Sequence, residues 1–108
     1  MMENSMTKIE IPELLLNVYR DAAIRPLGIL QNYALNLVQG KIHKYEAEDA
    51  HFRKKYSCDF HKFRADIEAM EDEENFEWED DLMDWEFAAE NLSVWQKKEQ
   101  EVRSLWSR

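Results

Sequence analysis

The sequence predicts an all-α protein, and three observations support that fold class. Glu, Leu, Ala and Lys are abundant while Val and Thr are scarce, which favours helix over strand. Both prolines precede residue 27, so no proline interrupts a helix from Leu27 onward. Apolar residues recur at helical spacing in several segments. The 108 residues suit one domain, predicted over residues 9–108 behind a flexible N-terminus of residues 1–8.

The first predicted helix runs from Pro12 to Ala23 and carries a partial apolar stripe. Pro12 suits the first turn of a helix, where its missing N–H would have no partner. The segment Arg25-Pro26 ends this helix, because the residue before a proline is pushed out of the α region. We expect this short helix to pack across the remaining helices.

The second predicted helix is long, from about Leu27 to Tyr56, and its apolar residues alternate at steps of three and four. Such a heptad-like seam requires a partner helix. It can pack against the chain's own helices, or it can form a homodimer in which the interrupting Asp49 sets the register. The seam residues are Leu35, Val38, Ile42, Tyr45 and Phe52.

Two further helices are predicted after Tyr56. Asp59 is an N-cap candidate for a short third helix, from Phe60 to about Met70. The fourth helix opens at Asp80 or Asp81, where negative charge complements the helix dipole, and it continues to near the end of the chain. The predicted architecture is a long antiparallel hairpin of the second and fourth helices, bridged by the third.

Composition excludes several functions. The formal net charge of −9 argues against binding nucleic acid with the whole surface, because phosphate contacts need a basic face. The longest apolar run is Leu14-Leu15-Leu16, too short to cross a membrane. Cys58 is the only cysteine and cannot form an internal disulfide, so we expect a reducing, cytoplasmic setting.

Charge is segregated along the chain. Residues 71–86 contain ten acidic residues and no basic one, whereas residues 41–64 contain seven Lys or Arg against four Asp or Glu. These segments can neutralise each other within the fold, or the acidic block can stay free to meet a basic protein partner. Its aromatic residues favour the second interpretation, because aromatics supply binding energy while charge supplies steering. The predicted contact residues are Phe76, Glu77, Trp78, Glu79, Asp80, Asp81 and Asp84.

The acidic block also raises the question of a metal-dependent enzyme. Four of its acids, Glu77, Asp80, Asp81 and Asp84, have the spacing that places carboxylates on one face of a helix, and Mg²⁺ accepts carboxylate ligands. Helical nucleotide pyrophosphatases need a second acidic motif and a basic clamp. The facing helix offers only Glu46, Glu48 and Asp49. We therefore predict no tight metal site, no cofactor and no enzymatic activity, and keep a metal-dependent nucleotide hydrolase as a third hypothesis.

Two segments resemble a known group of proteins. Residues 55–63, KYSCDFHKF, are similar to a "KYG-M-SFEEF" type segment, and residues 77–86, EWEDDLMDWE, to an "E-V-E-x-D-Y-x-E-W-E" type segment. Both occur, in this order, in small helical prokaryotic antitoxin-like proteins. The resemblance covers about residues 42–95. It departs from the pattern where Ser57-Cys58 replaces a glycine turn, and where Leu82 replaces an aromatic residue and Asp84 a glutamate.

The function expected from these patterns is protein binding. The resemblance implies an antitoxin-like inhibitor that neutralises a small partner toxin. An acidic, aromatic-containing surface suits a basic toxin, since RNA-cleaving toxins need basic surfaces to hold phosphate. The alternative is a helical homodimer with a structural or assembly role and no enzymatic activity.

Overall fold

A computed structural model describes residues 6–70 and 75–106, and within those ranges the protein is helical with no strand. The all-α prediction is confirmed. The helices are α1 (Glu13–Asp21), α2 (Pro26–Tyr56), α3 (Phe60–Glu68) and α4 (Phe76–Ser104). The first five residues of the predicted flexible N-terminus, and residues 71–74 of the acidic block, lie outside the described residues.

The chain divides into two compact units between Tyr33 and Ala34. We call them the N-terminal unit and the C-terminal unit and describe each by itself. A single domain over residues 9–108 stays a prediction.

In the C-terminal unit, α2 and α4 form the predicted antiparallel hairpin. The rings of Tyr45 and Phe87 meet edge to face, with centroids 6.1 Å apart. Further along α2, Phe52 stacks on Trp85 at 5.6 Å. Residue numbers therefore rise along one helix as they fall along the other. The short α3 bridges to α4, since its Phe63 lies 5.4 Å from the Trp85 ring.

Trp85 is the centre of the core. Its side chain is 0% exposed, and it packs with the buried rings of Phe52, Phe60 and Phe63. Its indole Nε1 donates a hydrogen bond to Asp49 Oδ1 at 2.8 Å. A buried indole N–H needs such an acceptor, because leaving it unpaired costs free energy. The acid that interrupts the apolar seam of α2 thus fixes the register of α2 against α4 within one chain.

The seam of α2 is already used inside the molecule. Val38, Ile42, Tyr45 and Phe52 are buried in the single chain, and Leu35 is half-buried. These burials support the internal-packing interpretation. A homodimer through the same residues would have to displace the chain's own α4.

The turn between α2 and α3 contains a strained residue. Ser57 has a φ of 55°, a left-handed conformation that favours glycine. Two residues later, Asp59 caps α3 as predicted, since its Oδ1 accepts from the Lys62 backbone N–H at 2.8 Å. A glycine at this position would adopt the same φ without the steric penalty of a Cβ atom.

The beginning of α4 differs from the prediction. The helix begins at Phe76, not at Asp80 or Asp81. Asn75 is its N-cap, because the Asn75 side-chain oxygen accepts from the Trp78 backbone N–H at 3.1 Å. Trp78 and the acids that follow are therefore helical, and each points to a defined face.

The N-terminal unit has a different character. None of the nine residues of α1 is buried. The helix ends at a Schellman-type cap, in which Ile24 N–H bonds to Tyr19 O at 2.8 Å and Ala23 N–H to Arg20 O at 3.0 Å. Ala23 takes the left-handed position of this cap with a φ of 57°. The predicted packing of α1 across the hairpin stays a prediction.

Candidate protein-binding face of helix four

The acidic block is partly neutralised within the fold. Lys55 Nζ contacts Asp81 Oδ2 at 2.7 Å and Glu77 Oε1 at 2.8 Å. The Tyr56 hydroxyl also donates a hydrogen bond to Asp81. The Asp81 side chain is only 15% exposed. Asp81 therefore ties α4 to the end of α2, and the intramolecular interpretation holds for this residue.

The pKa values of this cluster follow from its contacts. Burial alone would raise the pKa of Asp81, but hydrogen bonds from Lys55 and Tyr56 outweigh it and lower the pKa below 3.8. Burial, followed by the hydrogen bond to Asp81, raises the pKa of Tyr56 to about 12. The hydrogen bonds to Asp81 and Glu77 raise the pKa of Lys55. Around neutral pH, Asp81 is therefore a carboxylate, Lys55 an ammonium ion and Tyr56 a neutral phenol.

Trp78 is not the free contact residue that the sequence suggested. It is half-buried and packs against the core formed around Trp85. It also lines a small cleft with Tyr56, Phe63 and Ile67. Its main role in the structure is to extend the core toward the start of α4.

Five of the predicted contact residues face solvent. Phe76 is 72% exposed, and Glu77, Glu79, Asp80 and Asp84 are exposed as well. Glu77 is paired with Lys55. The other three acids, Glu79, Asp80 and Asp84, make no ion pair with another described residue. Their negative charge is therefore available to a partner.

An exposed apolar stripe accompanies these acids and was missed from the sequence. Phe76, Met83, Phe87 and Val94 recur at intervals of seven, four and seven residues, so they share one face of α4. All four are exposed, with Met83 at 68% and Phe87 at 58%. Acids flank the stripe on both sides. We call this surface the acidic stripe: Phe76, Glu79, Asp80, Met83, Asp84, Phe87, Glu90 and Val94.

A groove lies beside the middle of the acidic stripe. It runs between α2 and α4 and is lined by Ala47, Glu48, His51, Phe52, Asp84 and Phe87. The groove therefore combines two phenyl rings with two carboxylates. Such a combination accepts an aliphatic side chain that carries, or lies beside, a positive charge.

The described residues hold no group of three or more His, Cys, Asp or Glu placed to bind a metal ion. The four acids singled out by their spacing are split, because Asp81 is engaged by Lys55 while Asp80 and Asp84 face solvent. The absence of a tight metal site nevertheless stays a prediction. Across residues 6–70 and 75–106, no helix has both the length and the apolarity needed to span a membrane.

Searches against protein-family models, curated proteins and solved structures found no match to this chain. The resemblance to antitoxin-like proteins therefore depends on the two short segments alone. Their prominent residues lie together in the structure, since Tyr56 stacks on Phe63 at 4.0 Å and Lys55 contacts Asp81. These residues build the core and its surrounding contacts, whereas Glu79, Asp80, Met83 and Asp84 of the second segment belong to the exposed acidic stripe.

Proposed function

We propose that the protein is a protein-binding module whose acidic stripe docks a basic amphipathic helix of another protein. The observation that carries the proposal is the exposed apolar row on α4, flanked by carboxylates that have no partner among the described residues. Helix-in-groove recognition uses anchors at this spacing. Lysine and arginine beside the partner's anchors would complement Asp80, Asp84 and Glu90.

The carboxylates and the apolar residues of the acidic stripe have separate roles in this proposal. Carboxylates at the rim accelerate association and make it sensitive to salt, while buried apolar anchors set the lifetime of the complex. Phe87 has the central position, because it belongs both to the stripe and to the groove between α2 and α4. Central, desolvated anchors carry most of the energy at protein interfaces.

Designed peptides test the docking chemistry directly. The probes are two helical peptides with the same leucine spacing, one flanked by lysines and one by glutamates, with binding measured by fluorescence anisotropy at low and high salt. We expect the basic peptide to bind and the acidic one to fail. Met83→Ser/Phe87→Ser should weaken binding roughly tenfold or more. Equal binding of both peptides, or no loss in the double variant, would contradict the proposal.

Charge is tested with a matched pair of variants. Asp80→Asn/Asp84→Asn should slow association and flatten its salt dependence. Glu10→Gln/Glu13→Gln removes the same charge from the N-terminal unit and should leave peptide association unchanged. Equal slowing by both pairs would mean that net charge, and not the acidic stripe, steers binding.

The resemblance of residues 42–95 extends this proposal to an antitoxin-like inhibitor of a small basic toxin. Support for the extension comes from the sequence segments and from the charge complementarity that a basic toxin would offer. Co-expression provides the test once a partner has been captured with the intact chain. We expect the wild-type chain to relieve that partner's toxicity and Met83→Ser/Phe87→Ser to lose relief. A partner that is harmless when expressed without this chain would contradict the inhibitor hypothesis but not the proposed protein-binding function.

A helical homodimer with a structural or assembly role remains the second candidate. Its original surface, the seam on α2, is largely buried within the single chain. A different apolar surface, in the N-terminal unit, supplies the observation that favours self-association.

A further inference from the structure

The groove beside the acidic stripe combines apolar and acidic walls. Phe52 and Phe87 line it with aromatic surface, while Glu48 of α2 and Asp84 of α4 line it with carboxylates. The groove is open to solvent and has a volume of about 430 Å³. Sites for small molecules have volumes of roughly 300–1,000 Å³ and enclose most of their ligand. An open groove at the low end of that range suits a side chain that enters from a docked helix.

The two carboxylates of the groove have no partner among the described residues. Two neighbouring acids are engaged by the fold, since Asp49 accepts from an indole and Asp81 from an ammonium group. No salt bridge or hydrogen bond joins Glu48 or Asp84 to another described residue, although Glu48 is half-buried. A partly buried carboxylate is screened less by salt than a fully exposed one, so it attracts a cation more strongly.

The basic side chains of α2 on either side of the groove are placed elsewhere. Lys44, one turn before Glu48, has its Nζ over the Tyr45 ring at 5.2 Å from the centroid. Lys55 is held by the acids of the cluster around Asp81. The groove therefore keeps its negative charge in the folded chain.

The cleft on the other side of α4 differs in charge. There Glu86 and Glu90 share the lining with Arg53, His61 and Arg64. The chain's own guanidinium groups supply positive charge to that cleft, so it does not favour a cation. Of the two clefts that border α4, the groove is therefore the one whose charge selects a basic side chain.

We propose that the groove receives one lysine or arginine side chain of the docked helix, and that this contact selects the partner. The inference rests on the proposed docking function and adds a defined position to it. The aliphatic stem lies against Phe52 and Phe87, and the cationic head lies between Glu48 and Asp84. Since Asp84 lies near the middle of the acidic stripe, the selected cation lies near the middle of the partner helix, on the side that faces α2.

Single replacements in the basic peptide test the inference. Each lysine of the helical leucine–lysine peptide is replaced in turn by norleucine, which keeps the aliphatic stem and removes the charge. Association and dissociation rates are measured at about pH 8, where an ordinary histidine is neutral, so that His51 in the groove adds no charge. We expect one replacement, near the middle of the peptide, to speed dissociation roughly tenfold. The others should change mainly the association rate, by about twofold each.

Matched variants of α2 test the groove itself. Ala47→Met fills the groove from its rim and should weaken binding of the lysine peptide roughly tenfold. Ala50→Met adds the same side chain at an exposed position outside the groove lining and should leave binding unchanged. Glu48→Gln should weaken the lysine peptide but not the norleucine peptide at the selected position, whereas Glu46→Gln should leave dissociation unchanged. Neither alanine is buried, so both methionine variants should melt like the wild type.

The outcomes separate the groove contact from docking in general. Equal effects of all norleucine replacements, or of Ala47→Met and Ala50→Met, would overturn the groove contact while binding still depends on Met83 and Phe87. A basic peptide that does not bind, or that binds Met83→Ser/Phe87→Ser as well as the wild type, would overturn docking on the acidic stripe and the groove contact with it.

Discussion

The two compact units differ in both burial and charge. Among the described residues, all eight buried apolar ones belong to the C-terminal unit, from Val38 on α2 to Ala88 on α4. None of the residues described before Val38 is buried. The C-terminal unit also carries almost all of the net charge. One unit therefore has a core and a strongly charged surface, while the other has an apolar surface, no buried residue among those described, and a net charge of only −1.

This difference indicates how each unit meets other molecules. The C-terminal unit buries its own seam and offers α4 as an apolar row between carboxylates, so its recognition should depend on salt. The N-terminal unit presents its apolar residues with little net charge to guide a partner. Any contact that these residues make should therefore depend little on salt.

The largest expected effect is the loss of the indole at the centre of the core. Trp85→Ala should lower the free energy of unfolding by about 3–5 kcal/mol, because it leaves a cavity among three phenyl rings. Leu14→Ala on exposed α1 should change it by no more than about 0.5 kcal/mol in dilute solution. Urea unfolding followed by circular dichroism measures both. Similar losses in the two variants would place α1 in the same cooperative core.

The second-largest expected effect is the loss of the hydrogen bond from the Trp85 indole to Asp49. Asp49→Ala should cost about 1–3 kcal/mol, since it leaves the buried Trp85 N–H without its acceptor. Asp49→Asn is the matched control, because it keeps an oxygen for the indole and loses only the ion pair with the exposed Arg53. The same unfolding experiment separates the two. Equal losses would mean that the ion pair matters more than the indole contact.

Sequence alone predicted much of this unit. The helical pattern, the antiparallel hairpin of the second and fourth helices and the N-cap Asp59 are all confirmed. Asp49 was recognised as a break in the seam, although its partner is an indole of the same chain. Local spacing and capping chemistry encode these features, so one sequence was sufficient to find them.

The acidic stripe was harder to predict, because α4 is apolar on two sides. One set of residues, with Trp85 and Ala88, faces the core, while Met83 and Phe87 face solvent. Which set is buried depends on the register against α2, and a helical period does not specify that register. The early start of α4 was missed because the negative charge of Asp80 and Asp81 was taken to mark the first turn of the helix. Asn75 before Phe76 was the available signal.

A smaller effect should follow from pH. The pKa of Asp81 is lowered in the folded protein, so its contacts stabilise the fold above the ordinary carboxyl pKa and are lost as pH falls through the lowered value. Asp81→Asn should remove this part of the acid sensitivity. Asp80→Asn, on the neighbouring exposed acid, should retain it. Thermal melts at pH values from about 7 down to about 2 measure this difference, because that range spans the ordinary carboxyl pKa. Identical acid profiles for wild type and Asp81→Asn would contradict the assignment.

The smallest effects come from the two left-handed residues. Ser57→Gly should raise the free energy of unfolding by about 0.5–1 kcal/mol, because glycine adopts this φ without a Cβ penalty. Ala23→Gly relieves the same strain at the end of α1 and should leave the global unfolding midpoint unchanged in dilute solution. An equal rise in both variants would mean that α1 unfolds together with the core.

The comparison between the units is tested most directly by hydrogen exchange along the full chain in dilute solution, read by mass spectrometry. We expect the amides of α3, α4 and the C-terminal unit's part of α2 to be protected. Those of α1, residues 13–21, should exchange rapidly, because none of these residues is buried. Protection of α1 equal to that of α4 would contradict this account.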